Sequence, residues 1–223
     1  PELRTILSVF GDNEVLRKTF DQARDQTPLP GWMNGICAYS LWWILIHRDY
    51  YNYTGDRADL TEQQQYLEGL LSQVIESVDE QGREHLQGGG RFLDWPTSKN
   101  KPAVNAGLQA LVVMSLEAGE QLMQVLNNDS LASRCQVTVE RMRQAIPDYK
   151  QSKQSAALAA LAGLATPEQG NEVLIRPSTA IICCKPKQWQ VITPEQWTIS
   201  VVTGVVCSIW EQPLFGRISI LLG

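Results

Sequence analysis

The chain has 223 residues, of which 43% are hydrophobic and 19% are charged, and its formal net charge is −5. This composition is typical of a folded protein with at least one sizeable core and excludes a disordered chain. A net negative charge argues against nucleic acid as a partner, because phosphates select a basic surface. The apolar run around Trp42 and Trp43 ends at His47, Arg48 and Asp49, so it is too short to cross a membrane.

The five cysteines do not follow the spacing of a disulfide framework or a zinc site. Cys37 and Cys135 each lie alone in an apolar helical pattern, which favours a buried free thiol. Cys183 and Cys184 are adjacent, and the chain has only two histidines to complete a metal site. We therefore expect no metal and no organic cofactor. The start at Pro1, without an initiator Met or a cleavable leader, favours a start within a domain.

The chain up to about residue 176 is predicted to be helical. Residues 12–25 have apolar side chains at helical spacing, residues 36–53 are apolar nearly all round, and residues 155–164 predict a short alanine-rich helix. Consecutive helices joined by short turns form αα-hairpins, the unit of helical toroids and solenoids. The clearest stripes are Leu67, Leu70, Leu71, Val74, Ile75 and Val78; Val104, Leu108, Leu111 and Val112; and Leu131, Cys135, Val139 and Met142.

Glycines and acidic residues predict where these helices end and begin. Gly55 is expected at the C-terminal turn of the helix in 36–53. Asp59 and Glu62 have the spacing of a capping box, which predicts Asp59 as the N-cap of the next helix, closed in turn by Gly82. The acidic residues around that glycine are interpreted as solvated turn residues rather than an acid/base pair: Asp79, Glu80 and Glu84.

Two stretches of the sequence resemble a known family. One is YSLWWILIHRDYYNYTGD at residues 39–56, and the other is FLDWP at 92–96 followed by VNAGLQAL at 104–111. In this order and spacing they resemble the catalytic domain of bacterial α-L-rhamnosidases, which are six-hairpin glycosidases with an (α/α)6 barrel. The resemblance covers residues 1–176. It implies an all-α fold in which the chain is a partial (α/α)6 toroid built from αα-hairpins.

The resemblance also implies inverting hydrolysis of terminal α-L-rhamnosides, with a rhamnose-containing glycan or glycoside as the partner. One carboxylic acid protonates the leaving oxygen, and a second carboxylate activates water on the opposite face. In the family the acid lies in an acidic segment that would precede Pro1, and the base is the Glu of a Thr-Phe-Trp-Glu-like motif. The written sequence contains neither motif, so we predict no catalytic residue and no hydrolysis by this chain alone. The sequence does not determine the oligomeric state. It also does not determine whether the protein lies in the bacterial cytoplasm or the periplasm.

Residues 177–223 lose the helical period and become rich in β-branched residues, Cys and Trp. A shifted reading frame of the gene would form each new codon from the third base of one codon and the first two bases of the next. In that frame Cys183 with Cys184 forces Leu, and Trp197 with the following Thr forces Asp. Permissive choices elsewhere give Thr-Phe-Trp-Glu near the end, which is the family's base motif. The sequence therefore predicts a one-base insertion or deletion near Arg176 and an out-of-frame tail; an unbroken frame on resequencing would refute it.

The candidate sugar-binding residues are Asp94 and Trp95, in the long loop of residues 85–102. An indole ring can stack on the C–H face of a sugar while a carboxylate holds its hydroxyl groups, and long loops in compact domains are often functional. The alternative is that Asp94 caps a turn and Trp95 anchors the loop in the core. The glycine run at 88–90 has no following Lys-Ser/Thr and no preceding strand, so it does not predict a phosphate site.

Trp42 is the third candidate for substrate binding. It points to a different face of its helix from Trp43, so at most one of the two can line a pocket, and the apolar character of the whole helix favours both as core residues. Trp32 either rims a cleft or packs on its own hairpin, and His47 is interpreted as a hydrogen-bonded helix residue rather than a ligand or base. Two other functions stay open: a non-catalytic carbohydrate-binding toroid, and a helical-repeat interaction protein in which Trp95 is a core residue.

Overall fold

A computed structural model describes residues 2–176, and this part of the chain is mostly helical and contains no strand, which agrees with the predicted all-α class. The predicted out-of-frame tail, residues 177–223, lies outside the described residues. The helices are α1 (Glu2–Phe10), α2 (Glu14–Asp25), α3 (Cys37–Thr54), α4 (Arg57–Glu76), α5 (Lys101–Val125), α6 (Asp129–Gln144), α7 (Lys153–Leu161) and α8 (Pro167–Leu174), with short 3-10 turns at Met33–Gly35 and Tyr149–Gln151. Within the described part, no helix has the length and apolar content needed to cross a membrane.

Helix α5 is the central element of the fold. It packs against α3, α4, α6 and α7, and most of its 25 residues are buried. Asn100 caps its start, and Pro102 stands in the first turn, where a missing N–H leaves no helical bond unmade. At Gly107 a Cβ would lie only 2.3 Å from Leu93 Cδ2. The absence of a side chain there lets the loop before α5 pack directly on the helix.

Helices α3 and α4 form a hairpin whose connection consists of Gly55 and Asp56. Gly55 ends α3 in the left-handed region, with φ 67°, and its N–H donates to Tyr51 O at 2.8 Å, as predicted. The predicted cap of α4 is wrong. Asp56 is the N-cap, and its Oδ1 accepts a hydrogen bond from the backbone N of Asp59 at 3.1 Å. The turn is so short that α4 starts at Arg57, which leaves Asp59 inside the first helical turn.

Two capping boxes start the last helices. Ser152 and Ser155 bond reciprocally at the start of α7, so this helix begins at Lys153, before the predicted start at 155. Thr166 and Gln169 form the same arrangement at the start of α8. Neither α8 nor α1 was predicted as a separate helix, because each is shorter than the window of about 11 residues over which a helical period is recognised.

Candidate functional site

The connection from α4 to α5, residues 77–100, is held in place by a buried glutamine on α5. Gln109 is only 4% exposed. Its Nε2 donates to Gly82 O at 2.7 Å, and its Oε1 accepts from Glu84 N at 2.8 Å. The two bonds use both ends of one side-chain amide, so they fix the position of the turn relative to the central helix.

An ion pair between a buried carboxylate and a partly exposed arginine fixes the next part of the connection. Glu84 is 8% exposed, and its Oε2 accepts from Arg91 Nη1 at 2.9 Å and from Leu86 N at 3.1 Å. Arg91 Nη2 donates to the other oxygen of Glu84 and also to Asn105 Oδ1 on α5, at 2.8 Å. The hydrogen bond to Glu84 raises the pKa of Arg91. The interpretation of Glu84 as a solvated turn residue is therefore wrong, because this carboxylate anchors the loop.

The glycine run at 88–90 is a backbone contact surface. Gly90 N donates to Gly35 O at 2.7 Å, and Cys37 N donates to Gly90 O at 3.2 Å. A Cβ at Gly89 would lie 2.6 Å from Trp32 Cδ1 and 3.0 Å from Cys37 Sγ. The run therefore lets the loop lie against the start of α3, and a side chain at Gly89 would clash there.

Asp94 and Trp95 lie at the outer part of the same connection. Asp94 Oδ1 accepts from Thr97 N at 2.8 Å and from the Thr97 hydroxyl, so this oxygen caps a turn. Its Oδ2 makes no hydrogen bond to any described residue. Trp95 is 69% exposed, and its ring meets Phe92 edge to face with 5.2 Å between centroids. Trp95 does not anchor the loop in the core of the described part, and the indole offers a face to solvent.

Trp42 and Trp43 on α3 have different environments. Trp43 is 3% exposed, and its Nε1 donates to Phe20 O at 3.4 Å. Trp42 is half-buried and packs against the edge of the core. Within residues 2–176, no hydrogen bond or ring contact joins Trp42 to Asp94 or Trp95. The structure thus brings Asp94 and Trp95 together as chain neighbours and shows no direct contact from Trp42 to either of them.

His47 is a hydrogen-bonded helix residue, as predicted, and it lies in the core. It is 1% exposed and lies between Trp43 and Phe20, with ring centroids at 3.8 and 4.2 Å. Its Nδ1 donates to Trp43 O at 2.9 Å, which leaves Nε2 as a lone-pair acceptor. That nitrogen is buried and has no partner among the described residues. Burial lowers the pKa of His47 to about 4.

A separate depression of about 610 Å³ lies beside the end of α4. Its walls come from the segment before α3, the C-terminal turn of α4, and the turn that follows. None of Asp94, Trp95 and Trp42 lines it. Sequence reasoning missed this depression because its polar residues come from three segments and form no motif. Its lining includes Pro30, Trp32, Gln73, Glu76, His85 and Gln87.

Searches of protein-family models, of curated proteins and of solved structures gave no match to this chain. Among residues 2–176, no group of three or more His, Cys, Asp or Glu side chains is arranged to hold a metal ion. At the loop tip, the described residues offer the exposed indole face of Trp95 and one carboxylate oxygen of Asp94.

Proposed function

We propose that this chain is part of an (α/α) toroid glycosidase domain of the α-L-rhamnosidase type and that it binds rhamnose-containing glycans through the loop tip at Asp94 and Trp95. The observation that carries the proposal is the exposure of Trp95. An indole that is 69% exposed has not been buried for stability, although the preceding part of its loop is tied to the core through Gly82 and the Glu84–Arg91 pair. A rigidly supported aromatic face is what a sugar ring needs for stacking.

The neighbouring carboxylate complements that face. Because Oδ1 of Asp94 is held by Thr97, the direction of the whole carboxylate is fixed. Oδ2 is then available to accept from a sugar hydroxyl while the ring lies on Trp95. Trp42, which is half-buried on α3, is the third proposed sugar contact.

Binding without hydrolysis is the activity that we propose for the 223 residues as written. Inverting hydrolysis needs an acid and a base on opposite faces of the glycosidic bond. The two family motifs that would supply them do not occur in the written sequence. We therefore expect no release of chromophore from a chromogenic α-L-rhamnoside by the purified chain. Turnover that survives repeated purification would contradict this part of the proposal.

The test of binding is calorimetric titration of a rhamnose-terminated oligosaccharide into the protein and two variants. Trp95→Ala should weaken the affinity at least about tenfold, which corresponds to about 1.4 kcal/mol of lost stacking. Tyr53→Ala is the matched control, because Tyr53 is another strongly exposed aromatic residue, at 61%. It should leave the affinity unchanged.

The same titration separates the alternatives. Rhamnose binding that is equal in the wild type and Trp95→Ala would contradict the proposed site. No binding by a correctly folded wild-type protein would favour the helical interaction protein over any sugar-binding function. Binding of unrelated sugars with equal affinity would contradict the rhamnose specificity and leave the site itself supported.

A further inference from the structure

The depression beside the end of α4 has walls that hydrogen bonds hold in place. Trp32 Nε1 donates to Gln87 O at 2.6 Å, which joins the segment before α3 to the loop. Gln73 Nε2 donates to Pro30 O at 2.9 Å, which joins the same segment to α4. His85 N donates to Ser77 O at 2.7 Å, which closes the third side. The cavity is therefore formed before any ligand arrives, which reduces the entropy cost of binding.

The polar groups that line it are mainly acceptors. Oε1 of Gln73 is shielded from solvent and has no hydrogen-bond partner among residues 2–176. Glu76 is an exposed carboxylate at the last residue of α4. His85 is exposed, and its Nε2 forms a hydrogen bond with Asp79 Oδ2 at 2.7 Å. Its Nδ1 is left for another contact. The exposed side-chain amide of Gln87 can both donate and accept.

This lining selects one chemical class of ligand. The described lining has no lysine or arginine, and two carboxylates lie in it, so phosphate, sulfate and acidic ligands are disfavoured. Pro30 and the edge of Trp32 supply an apolar wall for C–H groups. Scattered acceptors, one amide and an apolar wall suit a neutral molecule with many hydroxyl groups. The volume, about 610 Å³, falls within the range usual for small-ligand sites.

We propose that this depression is a second saccharide-binding subsite, lined by Gln73, Glu76, His85 and Gln87, which takes a neutral glycosyl unit independently of Trp95. The choice of a saccharide rests on the proposed function, but the position of the subsite does not. A glycan with several sugar units would then contact the domain at two places. Binding at two places would raise the affinity for oligosaccharides over that for single sugars.

His85 makes the proposal directly measurable. The chain has two histidines, and the other one, His47, is buried in the core. Proton NMR therefore shows the ring protons of only two histidines, and the variant His85→Asn identifies the signals from the depression. Titration of a neutral rhamno-oligosaccharide into the full chain should shift the His85 signal in a saturable way and leave the His47 signal in place.

Two variants test the lining. Glu76→Ala with Gln87→Ala removes two exposed side chains of the depression and should weaken the affinity read from His85 about tenfold, the effect of one or two lost hydrogen bonds. Glu80→Ala is the matched control, because this exposed carboxylate lies in the same turn outside the lining. It should leave the titration unchanged.

Trp95→Ala separates this inference from the proposed function. A His85 shift that persists in Trp95→Ala supports the second subsite, even if calorimetry finds no role for Trp95. A His85 shift that disappears with Trp95→Ala overturns its independence. No His85 shift at saturating oligosaccharide, or a shift produced only by a cationic amine such as spermidine and removed by salt, overturns the subsite.

Discussion

The imidazole of His47 is buried in its neutral form, and this makes stability depend on pH. Its pKa is lowered to about 4 by burial, whereas an exposed histidine titrates near 6.5. The folded state therefore binds fewer protons than the unfolded state between these values. The stabilising contribution is complete above pH 6.5 and is lost as the pH falls towards 4. Its size is on the order of 3 kcal/mol.

Asp59 acts in the opposite direction over part of this range. Burial first, and then the carboxylates of Asp56 and Asp21, raise its pKa to about 6. Its contribution to stability therefore decreases as the pH rises through the region between about 4 and 6. A measurement of the wild type alone would combine the two effects, so a variant is needed to isolate His47.

We predict that the substitution His47→Leu destabilises the fold at pH 7 and destabilises it much less at low pH. At pH 7 the variant should unfold more easily than the wild type, because it loses the bond to Trp43 O. At pH 4.5 the difference should shrink or reverse, because only the wild type must keep a buried imidazole neutral. Urea unfolding at the two pH values measures this, and Asp59, present in both proteins, cancels. An equal difference at both values would contradict the assignment.

At the scale of elements, the connection between α4 and α5 is the part of the fold that depends most on one pair of side chains. The side chain of Glu84 is 4% exposed and that of Arg91 is 33% exposed. Removal of the arginine would leave a buried carboxylate whose remaining partner within residues 2–176 is the backbone N–H of Leu86. Such a loss is much more costly than the loss of a surface pair.

We predict that Arg91→Met lowers the free energy of unfolding by about 3 kcal/mol and exposes residues 86–100 to proteolysis. Arg143→Met is the control, because Arg143 pairs with Glu117 on the surface of the described part. It should cost less than about 1 kcal/mol. Equal losses in the two variants would show that the Glu84–Arg91 pair does not hold the loop.

Helices α3, α4 and α5 and the connection between α4 and α5 show which features the sequence can predict. The strongest predictions concerned α3, α4 and α5, whose apolar periods extend over many residues and whose ends carry a glycine or a polar cap. Glu84 and Gln109 could not be paired in advance, since 25 residues separate them and tertiary packing alone brings them together. Asp59 failed as a cap for a local reason. A suitable residue, Asp56, stood closer to the end of α3.

For the whole molecule, the described fold is a set of helices around α5, with the candidate binding residues outside the core. The sequence predicted the loop, because Gly, Pro and polar residues interrupt the helical pattern there; Asp94 and Trp95 stay predicted binding residues. It predicted nothing of the depression beside α4. The walls of that depression come from Pro30, Gln73 and His85, which are distant in sequence.

Stacking of a sugar ring on the Trp95 indole can be detected by 19F NMR of protein labelled with 5-fluorotryptophan. The chain has seven tryptophans, and Trp95→Phe identifies the signal of interest. Addition of a rhamnose-terminated oligosaccharide should shift the Trp95 signal in a saturable way and leave the buried Trp43 signal unchanged. A Trp95 signal that stays in place at saturating ligand would contradict sugar binding at Trp95.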